Sequence, residues 1–398
     1  MDDIKPAAQI MERDLKILLV EDMQEDADLI LRYLKKEAIK FNYVRVWKKD
    51  DFIKALNEYT PDLIIADHSL PQFSGMEAFS LLKKENKNIP FILVTGTVSE
   101  KLLTKLAKEG IDDYILKDNL LRLPYAIEKA LNKRKIEKLH IQLENAYRDI
   151  NDSINYAKII QDAILPNKAL LHNHFRQAFI LYKPKGVLSG DFYWFKEKKD
   201  IFYLAVVDCT GHGVPGALMS MLGSEKLNDA VSLTKGTSEI LKRLNKGIKS
   251  TLHQSESNES SRDGMDIALC SIKIDKRILK YAGANRPFWI IRSGQKEIEE
   301  IKATKKAIGG FTEDSQHFDS HEVKLMEGDT FYIFSDGYAD SFGGQNNKKL
   351  KTNSFRQILL SIQNKTMQEQ EQYLDDFIEN WKAGREQIDD ILVIGVRF

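Results

Sequence analysis

Between residues 14 and 124, short apolar runs alternate with stretches of helical period. The runs are Lys16–Val20, Tyr43–Val46, Leu63–Ala66, Phe91–Val94 and Tyr114–Leu116; the amphipathic stretches are Ala27–Ala38, Asp51–Tyr59, Met76–Glu85 and Ser99–Glu109. This alternation predicts right-handed βαβ crossovers around a buried parallel sheet of five strands. From Pro124 to Leu165 the texture changes to one without glycine or internal proline. Ile136, Leu139, Leu143, Ala146, Ile150, Ser153, Ala157, Ile160 and Ile164 recur there at steps of three and four. That heptad seam, polar only at Ser153, predicts one helix of about forty residues, roughly 60 Å long. Pairing with a second copy in a parallel coiled coil covers the stripe; packing on the flanking domains is the other way to cover it.

Beyond residue 168 the runs lengthen and tight turns join them. Strands are expected at Phe179–Tyr182, Asp191–Lys196, Ile201–Asp208, Asp266–Ile274, Leu279–Gly283, Phe288–Ile291, His321–Leu325, Thr330–Ser335 and Ile391–Phe398. Helices are expected at Gly216–Ser232, Ser238–Gln254, Ser354–Ile362 and Met367–Ala383, with a polar loop at Ser255–Gly264. Turns such as Asp275–Arg277 and Ser293–Gln295 imply antiparallel pairing. The region reads as a β-sandwich with helices packed outside. The fold class is therefore α/β plus α+β.

The chemistry lies where apolar runs end. In a parallel α/β sheet the ligand site lies at the carboxyl ends of the strands, and those ends carry Glu21, Asp22, Asp67, Thr95 and Lys117. Carboxylates that converge repel one another unless a hard cation sits among them, and oxygen ligands suit Mg²⁺. An aspartate beside Mg²⁺ can attack a phosphoryl group and carry it as an acyl phosphate. A hydroxyl and an ammonium then bind the phosphoryl oxygens. Through Leu19-Val-Glu-Asp22, Ile65-Ala-Asp-His-Ser-Leu-Pro71, Val94-Thr-Gly96 and Tyr114-Ile-Leu-Lys117, residues 14–124 resemble the receiver domain of two-component response regulators. The resemblance implies a (βα)5 fold with Asp67 as phospho-acceptor and Glu21 and Asp22 as Mg²⁺ holders. It also implies Thr95 and Tyr114 as the conformational switch, and a cognate histidine kinase as partner. Glu21 stands where Asp is commoner, and Asp118 follows Lys117 where Pro is usual.

In the second half, the strand-like run Leu204–Val207 ends on Asp208 and turns through Gly211, Gly213 and Gly216 into a helical segment. Alone, this is either a metal-site arrangement or a connection in which Asp208 caps the helix. Asp191, Asp336, Asp389 and Asp390 lie at comparable strand edges. An all-carboxylate set without a His pair or Cys cluster favours Mg²⁺ or Mn²⁺ over Zn²⁺. Two such ions polarise a phosphoryl group and activate water for its hydrolysis without a protein nucleophile.

Through Leu188-Ser-Gly-Asp-Phe-Tyr-Trp194, Val207-Asp-Cys-Thr-Gly-His-Gly-Val-Pro-Gly-Ala217, Asp263-Gly-Met-Asp-Ile-Ala-Leu269, Tyr281-Ala-Gly-Ala-Asn-Arg-Pro287, Phe334-Ser-Asp-Gly-Tyr338 and Asp389-Asp-Ile-Leu392, residues 180–398 resemble the PPM (PP2C-type) serine/threonine phosphatases of the bacterial SpoIIE/RsbU branch. The resemblance implies an αββα sandwich holding two Mn²⁺ or Mg²⁺. In it Asp208 bridges the metals and the Cys209 carbonyl is a ligand of one. Asp336 and Asp389 complete the other metal's shell, Asp191 is a metal-adjacent acid, and Asp390 is able to exchange roles with Asp389. His212 is expected to shape the turn rather than act as an acid. The substrate implied is a phosphorylated protein, usually an anti-sigma-factor antagonist.

The expected organisation is a tail to residue 13, a receiver at 14–124, a linker helix at 125–167 and a phosphatase domain at 168–398. The output is a metal-dependent protein phosphatase controlled by phosphorylation at Asp67, in a homodimer joined through the linker. The rival reading is a catalytically inactive dimeric scaffold that binds a partner through a phosphatase-like fold. Lys+Arg and Asp+Glu both number 59, so no net field points to nucleic acid or an anionic membrane, and no basic helix-turn-helix stretch stands out. There is no signal-peptide pattern and no spanning apolar run, and Cys209 and Cys270 lie in apolar surroundings. Buried thiols in a cytoplasmic protein follow.

Overall fold

The fold follows from which strands are buried on both faces and which on one. In the computed structural model, described for residues 14–85, 87–97, 104, 106, 108–254 and 261–398, the chain divides into two compact units, Met1–Arg148 and Asp149–Phe398.

In the first unit β1 (Leu15–Val20), β2 (Phe41–Val46), β3 (Leu63–Asp67), β4 (Phe91–Thr95) and β5 (Asp113–Leu116) form a parallel sheet of order β2-β1-β3-β4-β5. Its central strands are mostly apolar because both faces are covered. Ile17, Leu19, Ile65 and Val94 join one core with α1 (Gln24–Lys36), while Leu18, Val20, Ile64 and Leu93 join another with α2 (Lys49–Glu58) and α3 (Gly75–Lys84). A reciprocal capping box between Ser74 and Glu77 starts α3. Most of the helix expected at Ser99–Glu109 lies outside the described residues, as do residues 1–13 and 255–260 of the expected polar loop.

The long helix is α4 (Leu123–Ile164). Its first turns belong to the receiver core, where Leu123, Ala126 and Ile127 are buried. Further along, the seam is bare: Ile136 is 67% and Leu143 68% exposed. A short helix not expected from the sequence, α5 (Lys168–His174), follows the Pro166-Asn167 break and is capped by the Asn167 side chain on the Ala169 N–H.

The second unit stacks two antiparallel sheets. One contains β7 (Phe192–Lys198), β8 (Ile201–Cys209), β9 (Gly264–Lys273), β10 (Ile278–Ala284) and β14 (Ser320–Lys324), with β13 (Ile308–Gly309) beside β9. The other runs β12 (Glu299–Ile301), β11 (Phe288–Ile291), β15 (Thr330–Phe334), β18 (Ile391–Arg397), β6 (Gln177–Lys183). Alternation along β8 shows the layering. Phe202, Leu204 and Val206 face the other sheet, whereas Tyr203, Ala205 and Val207 face α6 (Gly213–Leu233) and α7 (Thr237–Thr251). Likewise Leu392, Ile394 and Val396 of β18 point inward, while Ile391 and Val393 meet α8 (Thr352–Ser361) and α9 (Met367–Lys382). The architecture is αββα. The three- and two-residue strands β12 and β13, and the pair β16 (Phe342–Gly343) and β17 (Lys348–Lys349), are too short to leave a period in the sequence. Among the described residues no helix is long and apolar enough to cross a membrane.

Candidate functional site

Two acid clusters stand out, one in each unit. In the first, Glu21 and Asp22 follow β1, Asp67 ends β3 and Lys117 follows β5. Parallel strands bring these ends to one edge, and carboxylate oxygens of Glu21, Asp22 and Asp67 lie within 4.8 Å of one another. Lys117 Nζ reaches Asp67 Oδ2 at 2.9 Å and Glu21 Oε2 at 3.2 Å, and also bonds Asp26. Burial raises the Glu21 carboxyl, and the neighbouring Asp67 charge adds to this. Burial alone lowers the Lys117 ammonium, but the bonds to Asp26 and Asp67 outweigh it and raise it. Thr95 is buried at the end of β4 with its hydroxyl on the Thr97 carbonyl at 2.9 Å, and Tyr114 is half-buried in β5. Asp26, in the first turn of α1, carried no signal beyond that of a helix-dipole partner.

The second cluster draws on both sheets of the sandwich. Asp208 in β8 stands directly opposite Asp266 in β9, a like-charge pair that repels. Arg286 resolves it: Nη2 lies 2.8 Å from Asp208 Oδ2, 3.1 Å from Asp266 Oδ2 and 2.8 Å from Asp336 Oδ2. The Tyr281–Pro287 motif explains how the guanidinium gets there. Gly283 has no Cβ, and one would fall 2.0 Å from the Tyr281 hydroxyl, which bonds the Arg286 carbonyl. Asn285 adopts a left-handed φ of 58° and donates to Asp266 at 2.8 Å. Asp266 and Arg286 both lie in the sequence motifs, but nothing in the motifs alone marks them as partners of Asp208.

The remaining acids come from loops pressed together. Asp336 follows β15 and Asp389 precedes β18, and a Cβ on Gly337 would meet the Asp390 carbonyl at 1.9 Å. Asp390 and Asp389 differ in what they hold. Asp390 Oδ1 accepts from the Lys185 N–H at 2.6 Å, and its Oδ2 accepts from the Gly190 N–H at 2.7 Å and the Asp191 N–H at 3.4 Å. Asp389 accepts from the Asp390 N–H and faces Asp336 electrostatically. Asp191 is buried, and its Oδ2 has no hydrogen-bond partner. Gly190 and Gly216 close the floor: a Cβ on either would fall within 2.5 Å of the Gly211 carbonyl. The Cys209 carbonyl is 3.3 Å from the same Gly190 position. His212 is exposed at the N-terminus of α6 and makes no capping bond.

Electrostatically the cluster is short of positive charge. Burial, followed by the Asp208 charge, holds the Asp191 carboxyl well above the usual range. Burial pushes Asp208 up to about 7 against the opposing pull of Arg286. Asp266 and Asp389 are raised by burial as well. An orphaned buried carboxylate oxygen among all-oxygen donors is what a hard divalent cation satisfies.

Two family descriptions match the chain, one over each unit, with Asp191 lying just ahead of the second match. The description "Stage II sporulation protein E (SpoIIE)" matches residues 198–398, and "Response regulator receiver domain" matches residues 17–128. The chain belongs to the SpoIIE family. It carries a response-regulator receiver ahead of a PP2C-type phosphatase domain. The SpoIIE region is similar to the phosphoserine phosphatase RsbU of Bacillus subtilis, with 24% identity over 221 residues, covering 55% of this chain and 62% of that protein. The receiver is similar to the luminescence regulatory protein LuxO of Vibrio campbellii, with 31% identity over 128 residues, 32% of this chain and 27% of LuxO. The chain thus spans less than two thirds of either curated relative. Among solved structures, the SiaA-PP2C domain of Pseudomonas aeruginosa aligns with a TM-score of 0.56 and 32% identity, covering 64% of this chain and 98% of that domain.

Proposed function

We propose that this SpoIIE-type chain is a metal-dependent serine/threonine phosphoprotein phosphatase whose activity is set by phosphorylation of Asp67. The observation that carries the reading is the convergence of Asp208, Asp266 and Asp336 from two sheets onto one guanidinium, beside the unpartnered Oδ2 of Asp191. Asp208, Asp336 and Asp389 would hold two Mn²⁺ or Mg²⁺ with the Cys209 carbonyl, and Asp191 would stand beside them. Such ions supply Lewis-acid polarisation of a phosphoryl oxygen and an activated water.

This chain's residues do the rest. Arg286 balances the acids and presents a guanidinium to an incoming phosphoryl group. Asp390 fixes the Lys185–Asp191 loop through backbone N–H groups and leaves Asp389 to the site. In the receiver, Glu21, Asp22 and Asp67 would hold one Mg²⁺ while Lys117 binds the phosphoryl oxygens. The kinase donor, a phosphorylated protein substrate such as an anti-sigma-factor antagonist, and a homodimer through the bare seam of α4 belong to the same reading. Mn²⁺-dependent release of phosphate from a phosphoserine protein tests it. Activity in the wild type and its loss in Asp208→Asn supports the reading. A chain that binds Mn²⁺ but releases no phosphate supports the scaffold instead.

A further inference from the structure

Beyond Ala130, the long helix α4 carries one fully buried residue, and it is polar. Gln161 is 2% exposed, while the seam residues beside it, Ile160 and Ile164, are 43% and 41% exposed. A buried amide is tolerated only when its hydrogen bonds are made, and Gln161 makes three. Its Oε1 accepts from the Ser189 N–H at 3.2 Å; its Nε2 donates to the Ser189 carbonyl at 2.6 Å and to Ser220 Oγ at 2.9 Å. The side chain therefore grips both backbone groups of one residue, as a neighbouring strand would.

Ser189 opens the turn that carries Asp191. Its hydroxyl donates to the Asp191 carbonyl at 3.0 Å and accepts from the Asp191 N–H at 3.1 Å. Ser220 lies in α6, the helix entered through the Asp208–Gly213 turn, and donates to the Ala217 carbonyl at 2.8 Å. The loop and the helix meet at Gly190 and Gly216, where a Cβ on Gly216 would lie 3.0 Å from Gly190 Cα. The Gln161 amide thus bonds both walls of that contact.

We propose that Gln161 is a positioning residue: its amide locks the Ser189–Asp191 turn against α6 and so sets where the Asp191 carboxylate stands. A methionine or leucine fills the same volume, so packing alone does not call for an amide. A slide or rotation of the last turns of α4 then acts on the acid cluster through these three bonds. The inference rests on the phosphatase reading for its catalytic consequence, not for its geometry.

The test uses the full chain with Gln161→Met, Gln161→Glu and a core control away from the site, Leu171→Ala. Gln161→Met removes all three bonds at similar volume, and Gln161→Glu replaces the donor with a carboxylate beside the Ser189 carbonyl. Expected in both are faster hydrogen exchange of the Ser189–Asp191 amides and Mn²⁺ affinity weaker by about 10- to 100-fold, the range for outer-sphere supports. A fall in kcat at unchanged KM is also expected. Leu171→Ala lowers Tm and leaves affinity and local exchange at wild-type values. Wild-type affinity and exchange in a folded Gln161→Met overturns the proposal, as does an equal loss in Leu171→Ala. If the wild type hydrolyses no phosphoserine protein, the phosphatase reading fails alone and exchange at 189–191, which needs neither metal nor substrate, decides for Gln161.

Discussion

The two acid sites solve one electrostatic problem with different architectures. At Asp67 every group stands on the carboxyl edge of a single parallel sheet, and Lys117 from the same edge supplies the positive charge. At Asp208 the acids come from two sheets, Asp208 and Asp266 from one and Asp336 and Asp389 from strand ends of the other, with Arg286 between them. The receiver site is placed by its one sheet, with a single close approach of Gly75, where a Cβ would lie 2.5 Å from the Asp67 carbonyl. The sandwich site also depends on how loops from different sheets are pinned. That explains its close backbone approaches at Gly190, Gly216 and Gly337 and its backbone-bound Asp390.

The largest test of this contrast is a double dissociation. Asp336→Asn is expected to lower Mn²⁺-dependent hydrolysis at least about a hundredfold, the scale of losing one preorganised electrostatic group. Phosphoryl uptake at Asp67 from acetyl phosphate should continue in that variant. Asp67→Asn should lose phosphoryl uptake yet hydrolyse at the rate of the unphosphorylated wild type, and a rate well below that baseline would contradict two separable sites.

Next come the two cations. Arg286→Gln leaves buried acids without a counter-charge and is expected to cost about 3–5 kcal/mol in the metal-free chain, as when one partner of a buried ion pair is removed. Mn²⁺ should restore most of it. Lys117→Met should cost less, because the Lys117 side chain is 24% exposed against 14% for Arg286. Thermal melts with and without Mn²⁺ compare them.

The pH dependence separates the sites further. Asp208 rises from an ordinary 3.8 to about 7 in the metal-free fold. A carboxyl with a raised folded pKa binds more protons folded than unfolded, so its stabilising share is present below about pH 4 and is lost as pH climbs towards 7. Metal-free wild type should therefore lose Tm relative to Asp208→Asn across that window. Mn²⁺, which favours the ionised carboxylate, should reverse the trend.

The smallest effect concerns glycine. Gly283→Ala forces a methyl onto the Tyr281 hydroxyl and should cost about 1–3 kcal/mol. Gly96→Ala in the receiver meets nothing within 4 Å and should stay within about 0.5 kcal/mol. Denaturant melts measure both.

The same contrast explains what the sequence disclosed. Strand ends in a parallel sheet are marked locally, so Glu21, Asp22, Asp67 and Lys117 are legible as one set in the sequence. The two-faced burial of β8 and β18 was equally plain in their unbroken apolar runs. Asp266 and Arg286 were not legible as partners of Asp208. No period encodes which residue of one strand stands opposite another, or where a left-handed Asn285 turns the next side chain. Asp389 and Asp390 look alike in a sequence and separate only by which backbone N–H groups surround each. Gln161 sits between Ile160 and Asp162 beside the seam, and its burial depends on a turn that follows in the chain.

The most direct test is Mn²⁺-dependent hydrolysis of a phosphoserine protein by the full chain with and without beryllofluoride, which mimics phosphorylated Asp67. The account expects a rate that changes with beryllofluoride in the wild type and does not change in Asp67→Asn. A wild-type rate indifferent to beryllofluoride, with the receiver shown to be occupied, would contradict it.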